Sequence, residues 1–168
     1  MVGLAVMAVA AHAVTKTASQ SGSASISLIR PLSIVQAAQL NFGRLQPQGN
    51  GSPGTATVAA PPPTTRASNG VSLLSGGAET PLIRTISGEP GRAYRITLPA
   101  AVISSPGGYA VDTFTIWSAN RGIITTTKLG QLDATGKDTI RVGATISLPK
   151  GAKQIEPGAA VAIMISYE

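Results

Sequence analysis

The chain has 168 residues, of which 43% are hydrophobic and only 12% charged, with 19 glycines, 12 prolines and no cysteine. That length supports one domain with its own core, and the lack of cysteine excludes a disulfide framework or a thiolate metal site. The formal charge is +6, yet the 13 Lys and Arg residues are scattered singly, without interleaved aromatics; this describes a solvated basic surface and no nucleic-acid interface.

Residues 1–14, MVGLAVMAVAAHAV, are apolar, too short to span a bilayer, and end in the A-x-A pattern Ala11-His12-Ala13. Residues 1–13 are expected to be a signal-peptide remnant without its basic start; a buried first strand is the alternative. On the first reading the mature chain is exported and carries no histidine, since His12 is the only one.

Residues 14–30 form the N-terminal segment. Within SGSASISLIRPLSIVQ (21–36), Ala24, Ile26 and Leu28 would point one way in an extended chain and Ser23, Ser25 and Ser27 the other. This predicts a half-buried strand. The stretch SIVQAAQLNF (33–42) has the pattern for a helical turn or two and runs into a turn-rich loop. TATVAA (55–60) reads as a short strand, and PPPTTRASNG (61–70) as a loop or edge segment, because proline cannot join a central ladder.

Residues 71–79 and 80–91 give two more strands, each followed by turn signals. AYRITLP (93–99) alternates, with Tyr94, Ile96 and Leu98 opposite Arg95 and Thr97. VDTFTIWSAN (111–120) sets Phe114 and Ile116 against Trp117. The cleanest alternation lies in residues 138–149, where Ile140, Val142, Ala144, Ile146 and Leu148 share one face. The closing residues 158–168 repeat it with Val161, Ile163, Ile165 and Tyr167. About seven to nine short strands, each with one apolar face, predict an all-β fold, a single antiparallel β-sandwich over residues 31–168.

Motifs that carry chemistry fail on inspection. GNGSPG (49–54) matches G-x-G-x-x-G in letters only, because Pro53 interrupts the turn and a strand-like run follows where a helix should begin. GQLDATGKD (130–138) has the wrong P-loop spacing and Asp138 where a magnesium-binding hydroxyl belongs. No histidine survives export to serve a serine nucleophile, and the lysines stand at no recognisable Ser–Lys spacing. The seven carboxylates sit singly; Asp133 and Asp138 flank one turn, too few for a calcium cage. No metal, cofactor or catalytic residue is expected, and the protein reads as no enzyme. The sequon at Asn50 marks an exposed loop.

Three stretches carry a resemblance. PLSIVQAAQLNFGRL (31–45), ISGEPGRAYRITLP (86–99) and LDATGKDTIRVGATISLPKGAKQ (132–154), followed by a final alternating strand ending at Tyr167, resemble the exported bacterial domain-of-unknown-function family numbered 4402. The longer proline-rich insert at Pro61–Pro63 departs from that pattern. So does Arg84, which shares a strand face with Leu82 and Ile86. The resemblance implies an immunoglobulin-like β-sandwich, often encoded beside periplasmic chaperone and outer-membrane usher genes. By that analogy the chain is a fibre subunit that crosses the periplasm to the cell surface, with no stable membrane insertion.

In such fibres a neighbour's N-terminal strand completes each sandwich. Ala24, Ile26 and Leu28 are the expected donor residues. Ile140, Val142, Ile146, Val161, Ile163 and Ile165, on the cleanest strands, are the expected acceptor groove. Self-association would join the chaperone and usher as partners. The competing expectation is a self-complete surface binding module, in which residues 21–29 are its own first strand and the ligand is an acidic glycan.

Overall fold

The computed structural model describes residues 26, 28–48, 53–105 and 107–168, and these contain strands and turns with no helix. The strands in chain order are β1 Ser33–Ala38, β2 Leu40–Phe42, β3 Leu45–Pro47, β4 Gly54–Val58, β5 Arg66–Asn69, β6 Val71–Leu73, β7 Glu79–Thr80 and β8 Leu82–Ser87. They continue as β9 Ala93–Thr97, β10 Val102–Ile103, β11 Ala110–Ser118, β12 Gly122–Ile123, β13 Leu129–Gln131, β14 Lys137–Leu148, β15 Gly158–Ala159 and β16 Met164–Tyr167. Segments outnumber the strands expected from alternation because long extended runs break where they change partner.

The large sheet has the order β1-β8-β14-β11-β10, with β12 beside β11 and β4 and β5 extending from β14. Strand β14 is its spine. Residues 137–142 pair with β8, residues 144–148 pair with β4, and β11 covers the opposite edge. Period-two alternation makes this possible: Ile140, Val142, Ala144, Ile146 and Leu148 are all buried on the inner face. Shorter sheets β13-β9-β16, β15-β2-β7 and β3-β6 complete the fold. Every pairing is antiparallel, and the architecture is the expected β-sandwich.

Two buried clusters fill it. One gathers around Phe42, Val58, Leu82, Val142 and Ile146; the other around Ile86, Tyr94, Ile96, Ile116, Leu132 and Ile140. Fully burying each such side chain contributes roughly 1.5–3 kcal/mol. The inner face also holds the carboxylate of Asp138, which accepts the hydroxyls of Tyr94 and Ser118, each at 2.6 Å. Burial first, and the bond to Asp138 second, hold the Tyr94 hydroxyl far above its ordinary pKa.

Three expectations are corrected or refined. The helical turn at residues 33–42 is instead β1 and β2, because Ile34 finds Ile86 across the ladder and Leu40 and Phe42 enter the core. Tertiary burial overrides local pattern here. The half-buried strand expected at residues 21–29 is not seen in its described part. Ile26 and Leu28 lie in no strand and are 87% and 91% exposed. Ala24, like the 1–13 leader segment and Asn50, lies outside the described residues. The proline-rich insert crosses the outer face of the large sheet. The chain leaving β4, just before it, passes so close over β14 that a Cβ at Gly143 would collide with the carbonyl oxygen of Val58 and the amide nitrogen of Ala60.

Candidate functional site

The first and last extended runs of the chain do not stay together. Residues 40 and 41 pair with β15, at the start of the final run. Two residues upstream of Leu40, at Ala38, the chain has already left for the other layer, where β1 pairs with β8 through a bulge between Gln36 and Ala38. The second half of the final run, β16, therefore pairs only with β9 among the described residues. Among the described residues strand β1 likewise pairs only with β8. Among the described residues, the opening between β1 and β16 is thus flanked by two strand edges without a partner, and each presents backbone groups that another strand can bond.

Apolar side chains reach this opening. On β1, Ile34 shares the inward face with its partner Ile86. On the final run Ile163 and Ile165 are half-buried and pack against the core, as do Leu32 and Tyr167. Polar groups close one end. Tyr167 donates its hydroxyl hydrogen to the carbonyl of Arg30 at 2.5 Å and accepts the backbone N–H of Glu89 at 2.6 Å. The backbone N–H of Arg30 donates to the Glu89 carboxylate at 2.9 Å. The chain is clamped at Arg30, and Ile26 and Leu28 precede the clamp.

Arg84 adds a charge to this inner face. It sits opposite Gln36 on β1 and Ile140 on β14, and donates to the carbonyls of Ala38 and Ile83 at 3.2 and 3.3 Å. Burial lowers its pKa. The bond to Ala38 ties the guanidinium to the last residue of β1, just before the first run changes sheets.

The expected acceptor residues separate into two sets. Ile163 and Ile165 flank the free edge, and Val161 is buried just before them. Ile140, Val142 and Ile146 are fully buried on β14, which is hydrogen-bonded on both edges. They form the core floor and not an edge. Alternation reports a buried face, and it is silent on which strand lacks a neighbour. Leu32, Ile34 and the Tyr167 clamp were missed; Leu32 and Ile34 alternate with Ser33 and Val35, a signal present in the sequence.

Other clusters carry no chemistry of this kind. Asp138, Tyr94 and Ser118 satisfy one another in the interior. Among the described residues no group of three or more His, Asp or Glu could hold a metal ion. No curated protein and no solved structure matches the chain. The family described as "Domain of unknown function (DUF4402)" matches residues 32–167, from just after the clamp at Arg30 to the end of β16, and the chain belongs to that family.

Proposed function

We propose that this protein is a structural subunit of an extracellular fibre, assembled by donor-strand complementation. Residues 21–29 of one subunit enter the opening between β1 and β16 of the next. A periplasmic chaperone and an outer-membrane usher serve as partners in transit, and no catalysis is involved. The observation that carries this reading is the unused match within one chain. Ile163 and Ile165 flank a free edge, while Ile26 and Leu28 stand exposed beyond the Arg30 clamp.

Energetics favour an inserted strand over a peripheral one. Burying Ile26 and Leu28 gains about 3–6 kcal/mol. Ordering some eight residues costs on the order of 8–16 kcal/mol of backbone entropy. Side chains alone do not cover that. Hydrogen bonds along both edges, each contributing about 0.5–1.5 kcal/mol net, are required. An opening with a free edge on each side supplies them, and alternate side chains entering the core set the register. Insertion into the same molecule is opposed by the clamp, which holds Arg30 at the closed end.

Size-exclusion chromatography with light scattering tests this on the chain from residue 14 and on one starting at Pro31. SDS-resistant polymers from the first and none from the second are expected. A heat-stable monomer from the longer chain overturns the reading.

A further inference from the structure

Four residues, Ile29 to Leu32, connect Leu28 to the start of β1 at Ser33. Three of them are committed. Arg30 gives its N–H to the Glu89 carboxylate and takes the Tyr167 hydroxyl on its carbonyl. Pro31 fixes its own φ at about −65° and keeps Arg30 extended. Leu32 packs against the buried cluster that contains Ile86 and Ile140. Only Ile29, 46% exposed, has no such tie among the described residues.

To fill the opening of their own molecule, Ile26 and Leu28 would have to fold back beside β1 through a hairpin made from these residues. Opposite residues of a hairpin share a face, and β1 turns Ile34 inward with Ile86. A two-residue loop at Arg30-Pro31 sets Ser27 against Ile34 and Leu28 against Ser33, so the apolar donor side chains face solvent. The turns that suit such a loop need φ > 0 at both central residues or glycine at the first, and Arg30-Pro31 supplies neither. A three-residue loop restores the face, but its last position is left-handed and favours glycine. Here that position falls on Pro31, whose ring forbids it, or on Leu32, whose Cβ opposes it and whose side chain belongs to the core. Four residues flip the face again, and five take Leu28 from the donor or Ser33 from β1.

We infer that residues 29–32 are a partner-selecting connection, which denies the opening to the molecule's own N-terminal strand and commits that strand to a second copy of this chain. The inference rests on the fibre reading above and specifies its joint. One residue separates Leu28 from the Arg30 clamp, so the body of the donating subunit sits directly against the subunit it completes. A subunit with slack at this point fills its own opening, accepts no donor and ends the fibre. The effective concentration of a tethered strand is near zero where its linker cannot span, and in the millimolar range where a short flexible linker can.

The test supplies that slack and leaves clamp, core and donor residues unchanged. A flexible Gly-Ser-Gly-Asn-Gly-Ser insert is placed between Ile29 and Arg30 of the mature chain from residue 14, and parent and variant are compared by size-exclusion chromatography with light scattering. At about 10 μM protein, a millimolar effective concentration favours self-insertion about 100-fold. Polymers from the parent and a monomer from the variant are expected. That monomer should melt at a higher temperature than the same variant carrying Ile26→Asp and Leu28→Asp, because its own strand fills the opening. A variant that polymerises like its parent overturns the inference and leaves the fibre reading standing. So does a monomeric variant whose melting is indifferent to the two aspartates, since its opening is then empty. A monomeric parent overturns the fibre reading, and the inference falls with it.

Discussion

Tyr167 and Arg30 lie at opposite ends of the described sandwich in sequence, yet the tyrosine hydroxyl donates to the arginine carbonyl at 2.5 Å. The same oxygen accepts the Glu89 N–H, so one side chain fixes where the N-terminal segment leaves the fold. Tyr167→Phe keeps the ring packing and removes both bonds. At about 0.5–1.5 kcal/mol each, a loss of about 1–3 kcal/mol is expected in urea unfolding. An unchanged midpoint refutes the clamp.

The free edge gives a second prediction. Ile163 and Ile165 flank the opening, whereas Ile140 lies on a strand paired on both sides. Ile165→Ser should cut polymer yield more than it lowers monomer stability. Ile140→Ala should lower stability by about 2–5 kcal/mol through a buried cavity. Polymer yield measured by light scattering, set beside calorimetric unfolding of each variant, separates the two effects. Equal effects on both measures would remove the distinction between edge and floor.

The buried Asp138 gives a third. Replacing it with Ala strands the hydroxyls of Tyr94 and Ser118 in the interior. Each unsatisfied group costs about 1–3 kcal/mol. Asp138→Ala should therefore destabilise far more than Tyr94→Phe, which leaves the carboxylate its bond from Ser118. Similar denaturant midpoints for the two variants would contradict this ordering.

Acid behaviour follows from Asp133. Its carboxylate accepts the Lys137 N–H at 2.9 Å, the Thr135 hydroxyl at 2.7 Å and the Thr135 N–H at 2.8 Å. These bonds, led by Lys137, hold its pKa below the ordinary 3.8. A depressed folded-state pKa contributes stability above the unfolded value, and that stability is lost as pH falls through the folded value. The urea midpoint should therefore drop on acidification below pH 3.8, and Asp133→Asn should flatten that drop. Parallel acid limbs for both proteins count against it.

Alternation along single strands was legible without a structure, since a side-chain period of two needs no knowledge of partners. Tyr94 and Ile96, the run from Ile140 to Leu148, and Val161 with Ile163 all bury the face that pattern assigns. The loop-or-edge reading of residues 61–70 follows from proline's missing donor, and β5 occupies its far end. The sequence by itself determined these faces, the turns and the all-β class. Tertiary structure alone decided which edges stay free. That depends on the step between Ala38 and Leu40, where the first run changes partner from β8 to β15. Hydrogen bonds between residues far apart in the chain make that choice, and no local pattern encodes it.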